Sequence, residues 1–176
     1  SLGNGMSLTA AVEDAAEMHG QRYKEQACGS FGDISTFSFY SNKIITTGEG
    51  GMVLTDNDVI AQKCRDLRNL YMQPNKRFVH EGLGWNLRMT NMQAALGLAQ
   101  LERISELVAL KRKIGNFYNQ RFSGLPGVKL ALEKTSYAHN NYWIYGLVLE
   151  PEIKANAAEV MGRLASVGIG TRPFFY

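Results

Sequence analysis

A chain of 176 residues, 45% of them hydrophobic, is long enough to bury one core, or one core and part of a second, and too apolar to be disordered. Its 19 basic and 16 acidic residues leave a net charge of +3, with no basic stripe that interleaves aromatics, so nucleic acid is not the expected partner. No apolar run approaches the roughly 20 residues that span a bilayer and no signal-like segment opens the chain, so no membrane partner and a cytoplasmic setting are expected.

Residues 1–8, SLGNGMSL, read as a flexible N-terminus or a cloning remnant, with Met6 as a candidate start. LTAAVEDAA then reads as a short strand ending in the carboxylates Glu13 and Asp14, and ISTFSFY as a second strand rich in β-branched and aromatic residues. Cys28 and Cys64, 36 positions apart and without partners at metal-ligand spacing, read as free thiols. GGMVLTDN is a third strand, stopped by Asp56 and Asn57, which suit a turn and a helix cap.

Val59, Ile60, Cys64, Leu67 and Leu70 or Tyr71 recur at helical steps and predict a helix over about 58–71. Residues 72–86 carry Pro74, Gly82 and Gly84 without a sustained period and read as a long, functional loop. From Arg88 a proline-free run of about 34 residues predicts one long helix, bent near Ser105. SGLPGV marks a boundary, giving a first unit over 9–123 and the start of a second over 124–176. In the second, 140–150 alternates as a strand, NAAEVMGRLASVG predicts a helix closed by Gly168, and IGTRPFFY begins an extended piece whose Phe174, Phe175 and Tyr176 suit a core or interface. The whole is of the α/β class.

Three features bear on chemistry. Asp14 ends a strand, which in α/β sheets points toward the ligand crevice, although it also fits a solvated strand end or a helix cap. Lys43 stands between FSFYSN and the glycine-rich GEGG, where a solvated surface lysine is the ordinary reading and a Schiff-base amine the sharper one. Ser38 offers a hydroxyl five residues before it. Taken together they match what pyridoxal phosphate needs: an amine for its aldehyde, a carboxylate for its ring nitrogen, and donors for its phosphate.

EDAAEMHG, GSFGDISTFSFYSNKIITTGEGGMVLT, GWNLRMTNMQAALGLAQLE and GIGTRPFFY resemble, in order and spacing, successive segments of the DegT/DnrJ/EryC1/StrS family of pyridoxal-phosphate sugar aminotransferases, from about Val12 to Tyr176. The resemblance implies part of a fold-type-I transferase: a remnant of the large-domain sheet, a long helix and the start of the small domain. It implies Lys43 as the covalent cofactor residue and proton shuttle, Asp14 as the ring-nitrogen partner, Glu17 beside the ring and Ser38 at the cofactor phosphate. It also implies that Asn86 reaches a neighbouring subunit's cofactor phosphate, with Arg88 beside it. The same residues also fit plainer roles, Glu17 as a first-turn helix carboxylate and Asn86 as a cap.

His19 suits a packed or surface position, whereas His80 falls in the loop that resembles the family's substrate-side and interface loop. The implied reaction carries an amine from glutamate to C4 of a nucleotide-linked 4-keto-6-deoxy sugar. A sister branch that dehydrates at C3 has histidine in place of the lysine. Family members are roughly twice as long, so truncation at both ends is expected, with an exposed sheet edge that favours a homo-oligomer. A truncated, non-catalytic, self-associating protein that retains this fold is the alternative.

Overall fold

The computed structural model describes residues 10–174, so the expectations for residues 1–9 and for Phe175 and Tyr176 fall outside the described residues. Three strands form the main sheet: β1 (Val12–Asp14), β4 (Ile34–Ser38) and β5 (Gly51–Leu54), in the order β1-β4-β5. β1 runs parallel to β4, with Asp14 opposite Thr36, and β5 returns antiparallel, with Gly51 opposite Ser38. A parallel pair needs a crossover connection. Here it contains a small hairpin, β2 (Arg22–Tyr23) and β3 (Gln26–Ala27), that sequence reading did not find. Its two-residue turn holds Lys24 and Glu25 at φ +46° and +65°, the left-handed pair that hairpin twist requires. That turn normally announces itself by Asn-Gly or Asp-Gly, and Lys-Glu carries no such signal.

Helix α1 (Asp58–Arg68) starts where expected, with the Asn57 side chain accepting from the amides of Val59 and Ile60. It stops three residues short of the expected end, because Leu70 and Tyr71 reverse the chain at φ +61° and +51°. The long run after Arg88 is two helices, α2 (Asn91–Leu101) and α3 (Ile104–Phe122). The break lies at Arg103 (φ −110°, ψ 17°), two residues before the expected bend. Thr90 opens α2 with a capping box closed by Gln93.

Beyond α3, β6 (Val128–Leu130) pairs antiparallel with β7 (Leu147–Leu149), and α4 (Ala157–Ser166) follows, with its Gly168 amide returning to the carbonyl of Ala165. The strand expected over 140–150 is therefore only β7. Asn140 and Asn141 explain the loss, since their side-chain oxygens accept from the amides of Tyr142 and Trp143 and offer the backbone a local alternative to a sheet. Tyr142 packs so closely on α3 that a Cβ at Gly115 would stand 2.3 Å from its ring.

The core gathers at this junction. Ala15, Ile44, Ile45, Val108 and Tyr142 are buried, drawn from the turn after β1, the loop after β4, α3 and the connection between β6 and β7. Elsewhere the molecule is open. Its accessible surface of 13394 Å² exceeds the roughly 8,600 Å² expected of a compact monomer of this mass. Met52, Val53 and Leu54 point alternately to opposite faces of the sheet, yet all three are exposed, so β5 is uncovered on both faces.

Candidate active site

The β4–β5 connection carries Lys43, and several contacts fix its path. The Phe39 amide donates to the Gly50 carbonyl (2.8 Å), the Thr47 amide to the Phe39 carbonyl (3.0 Å) and the Lys43 amide to the Tyr40 carbonyl (3.0 Å). Ile44 and Ile45 anchor the loop in the core. Gln100 of α2 clamps Thr46 at both backbone groups, accepting from its amide (3.1 Å) and donating to its carbonyl (2.7 Å). Gly51 closes the loop, where a Cβ would stand 2.6 Å from the Phe37 carbonyl oxygen. A lysine held on such a frame is not a freely sampling surface side chain.

Its amine confirms this. Lys43 Nζ lies 3.0 Å from Glu17 Oε1 and 4.1 Å from the centroid of the Trp143 ring, with only 9% of the side chain exposed. Glu17 arrives there because β1 stays bonded to β4 through the Ala15 amide and Thr36 carbonyl (3.0 Å), after which the chain turns, Met18 donating back to Ala15.

The two carboxylates at the end of β1 part company. Glu13 accepts from the amides of Gly29 (2.6 Å) and Phe31 (2.9 Å), so it closes the return to β4. Asp14 is exposed at the strand end, its Oδ1 accepting from the Ala16 amide (3.1 Å). Ser38 is half-buried at the end of β4, and its hydroxyl accepts from the Tyr40 amide (3.3 Å).

Thus Lys43 and Glu17 touch, while Asp14 and Ser38 lie at the adjacent ends of the paired strands β1 and β4. Asn86 bridges Asn69, is exposed, and among the described residues makes no hydrogen bond to the other four. Arg88 donates to Asn69 Oδ1. His80 stands opposite Met72, its Nδ1 2.7 Å from the Leu70 carbonyl, which pins the loop back on itself.

His19 is packed. Its ring stacks against Phe37 (5.6 Å between centroids) and Phe39 (5.8 Å), and neither ring nitrogen has a hydrogen-bond partner. Burial first, and then the Lys43 charge, hold its pKa below the ordinary imidazole value, so it sits there neutral. Sequence reading missed Trp143, which lies 100 positions from Lys43 in a segment read only as an alternating strand. Proximity in the fold alone reveals it.

The model of the DegT/DnrJ/EryC1/StrS aminotransferase family matches residues 6–176. The chain belongs to this family. A GDP-perosamine synthase of Vibrio cholerae is 41% identical over 165 residues, which cover 94% of this chain and 44% of that protein. Among solved structures, the aminotransferase TlmJ from Streptoalloteichus hindustanus superposes with a TM-score of 0.83 at 27% identity, over 93% of this chain and 44% of that one. The pyridoxal-phosphate form of a putative sugar aminotransferase, Spr1654 from Streptococcus pneumoniae, gives 0.79 at 26% identity, over 92% and 42%. The chain therefore spans less than half the length of these family members. Its mixed α/β fold is that of part of an aminotransferase of this family.

The donor set suits the family's cofactor: a sequestered primary amine, an exposed strand-end carboxylate and a hydroxyl at the end of the neighbouring strand. No helix among the described residues is long and apolar enough to cross a membrane.

Proposed function

We propose that this chain is part of a pyridoxal-phosphate-dependent sugar aminotransferase in which Lys43 is the covalent cofactor residue. The observation that carries the reading is the amine itself: a 9% exposed lysine on a clamped loop, paired with Glu17 beside the carboxylate end of β1. The cofactor, when bound, supplies an aldehyde and an electron-accepting ring. Lys43 would bind it covalently and, once released, move protons at Nζ; Glu17 must first give up its ion pair with that amine. Asp14 would hold the positive charge of the ring nitrogen, and Ser38 would offer its hydroxyl to the phosphate. Asn86, exposed and without a hydrogen bond to Lys43, would serve a second copy of the chain.

The donor would be glutamate and the acceptor a nucleotide-linked 4-keto-6-deoxy sugar, in a cytoplasmic setting; the 41% likeness to a GDP-perosamine synthase supports this substrate class. Lysine rather than histidine at position 43 favours amino transfer over dehydration at C3.

A second reading, a non-catalytic self-associating protein, draws on the open surface and the exposed β5 edge. One experiment separates the two. The cofactor-treated chain is given isotopically labelled glutamate, labelled 2-oxoglutarate is measured, and solution mass is followed by light scattering. Lys43-dependent product supports the aminotransferase reading. An oligomer whose product level is unchanged in Lys43→Ala supports the second, and a monomer removes it.

A further inference from the structure

We propose that Trp143 is a positioning residue for Lys43: its indole face and the Glu17 carboxylate hold the amine between them, so the seating of the C-terminal unit governs how readily that amine reacts. Lys43 Nζ sits 4.1 Å from the ring centroid and 3.0 Å from Glu17 Oε1. An aromatic face attracts a cation through its negative quadrupole, most strongly for tryptophan. The carboxylate neutralises the amine from one direction while the ring shields it from another.

The indole is itself held. Its Nε1–H donates to the Asn42 carbonyl (3.0 Å), one residue from Lys43, so ring and loop move together. Its backbone amide donates to Asn141 Oδ1 (3.3 Å), and Asn141 Nδ2 donates to the His19 carbonyl (3.2 Å). Asn141 is 6% exposed and uses both ends of its amide, tying the segment that carries Trp143 to the turn that carries Glu17. Tyr142, 3% exposed, locks the same segment onto α3 at Gly115. Three consecutive residues of the second unit thus fix the seat of a lysine in the first.

The consequence for catalysis rests on the Lys43 reading above, whereas the hold on the amine does not. The test therefore reads the amine without cofactor. The chain is treated with limiting acetic anhydride, and acetylation of Lys43 is measured by peptide mass spectrometry relative to exposed Lys76. Trp143→Leu raises the relative rate roughly threefold to thirtyfold, the range a cation–π contact of this kind spans, and Trp143→Phe falls between. Because Leu also alters packing, a second series keeps the shape. Fluorotryptophans of increasing substitution, in a Trp85→Phe background, weaken the ring's negative face stepwise, and the Lys43 rate climbs with each fluorine. A rate flat across the fluorinated series overturns the proposal, even if Trp143→Leu is faster. Parallel trapping with pyridoxal phosphate and borohydride separates the two claims. No Lys43 adduct beside graded acetylation removes the cofactor reading alone, and an adduct beside flat acetylation removes the Trp143 role alone.

Discussion

Glu17→Gln removes the negative charge beside Lys43 while keeping an acceptor of the same shape, and its effect can be sized from the geometry. Two unit charges 3.0 Å apart attract by roughly 5 kcal/mol at an effective dielectric near 20. Each group gives up hydration to make the pair, but unequally: the Lys43 side chain is 9% exposed and that of Glu17 31%. The pair thus falls between a surface bridge, worth about 0–1 kcal/mol, and a buried one, whose breaking costs about 3–5. A coupling energy of about 2 kcal/mol is expected from the double-mutant cycle of Glu17→Gln and Lys43→Met, read by urea unfolding. Glu17→Gln alone is expected to destabilise by a similar amount, because the Lys43 amine then loses its carboxylate partner in a nearly closed site where only the indole remains beside it. A coupling below about 0.3 kcal/mol, within the scatter of additive mutations, would refute the pairing and with it the restraint on the amine.

His19 gives a pH signature. Its folded pKa lies below the unfolded value near 6.5, so the unfolded chain binds the extra proton; stability is full above that value and is lost as pH falls through it. The urea midpoint should drop between pH 7.5 and 5.5, and His19→Phe should flatten the drop; His139, shifted the same way by burial and then Arg112, leaves a residual slope. An undiminished slope in His19→Phe contradicts the buried neutral imidazole. Gly51→Ala should destabilise by about 1–3 kcal/mol in the same assay, because the new Cβ meets backbone at 2.6 Å and must push β4 and β5 apart beside the Lys43 loop. A neutral result would show that the two strands open freely there.

What the sequence made legible was mostly local. The three sheet strands, the Asn57 cap and the closure at Gly168 all come from residues whose chemistry acts within a few positions. Lys43 drew notice through its neighbours, since a glycine-rich turn beside an aromatic strand is an unusual place for a lysine. What escaped depended on distance or on unusual backbone. The Lys24–Glu25 turn adopts left-handed φ without glycine or asparagine to signal it. Asn140 and Asn141 bend a segment whose alternating apolar residues read as strand. Glu13 and Asp14 look alike in sequence, and only the pleat sends one into the return loop and leaves the other exposed. Trp143 meets Lys43 through tertiary packing alone.

The central claim is that Lys43 is the amine that takes the cofactor. The most direct measurement is to incubate the chain with stoichiometric pyridoxal phosphate, reduce with borohydride, and map the adduct by mass spectrometry across all lysines. The result expected is one dominant adduct at Lys43 that disappears in Lys43→Ala. Labelling spread over exposed lysines such as Lys24, Lys63 and Lys76, with Lys43 unmodified, would contradict it.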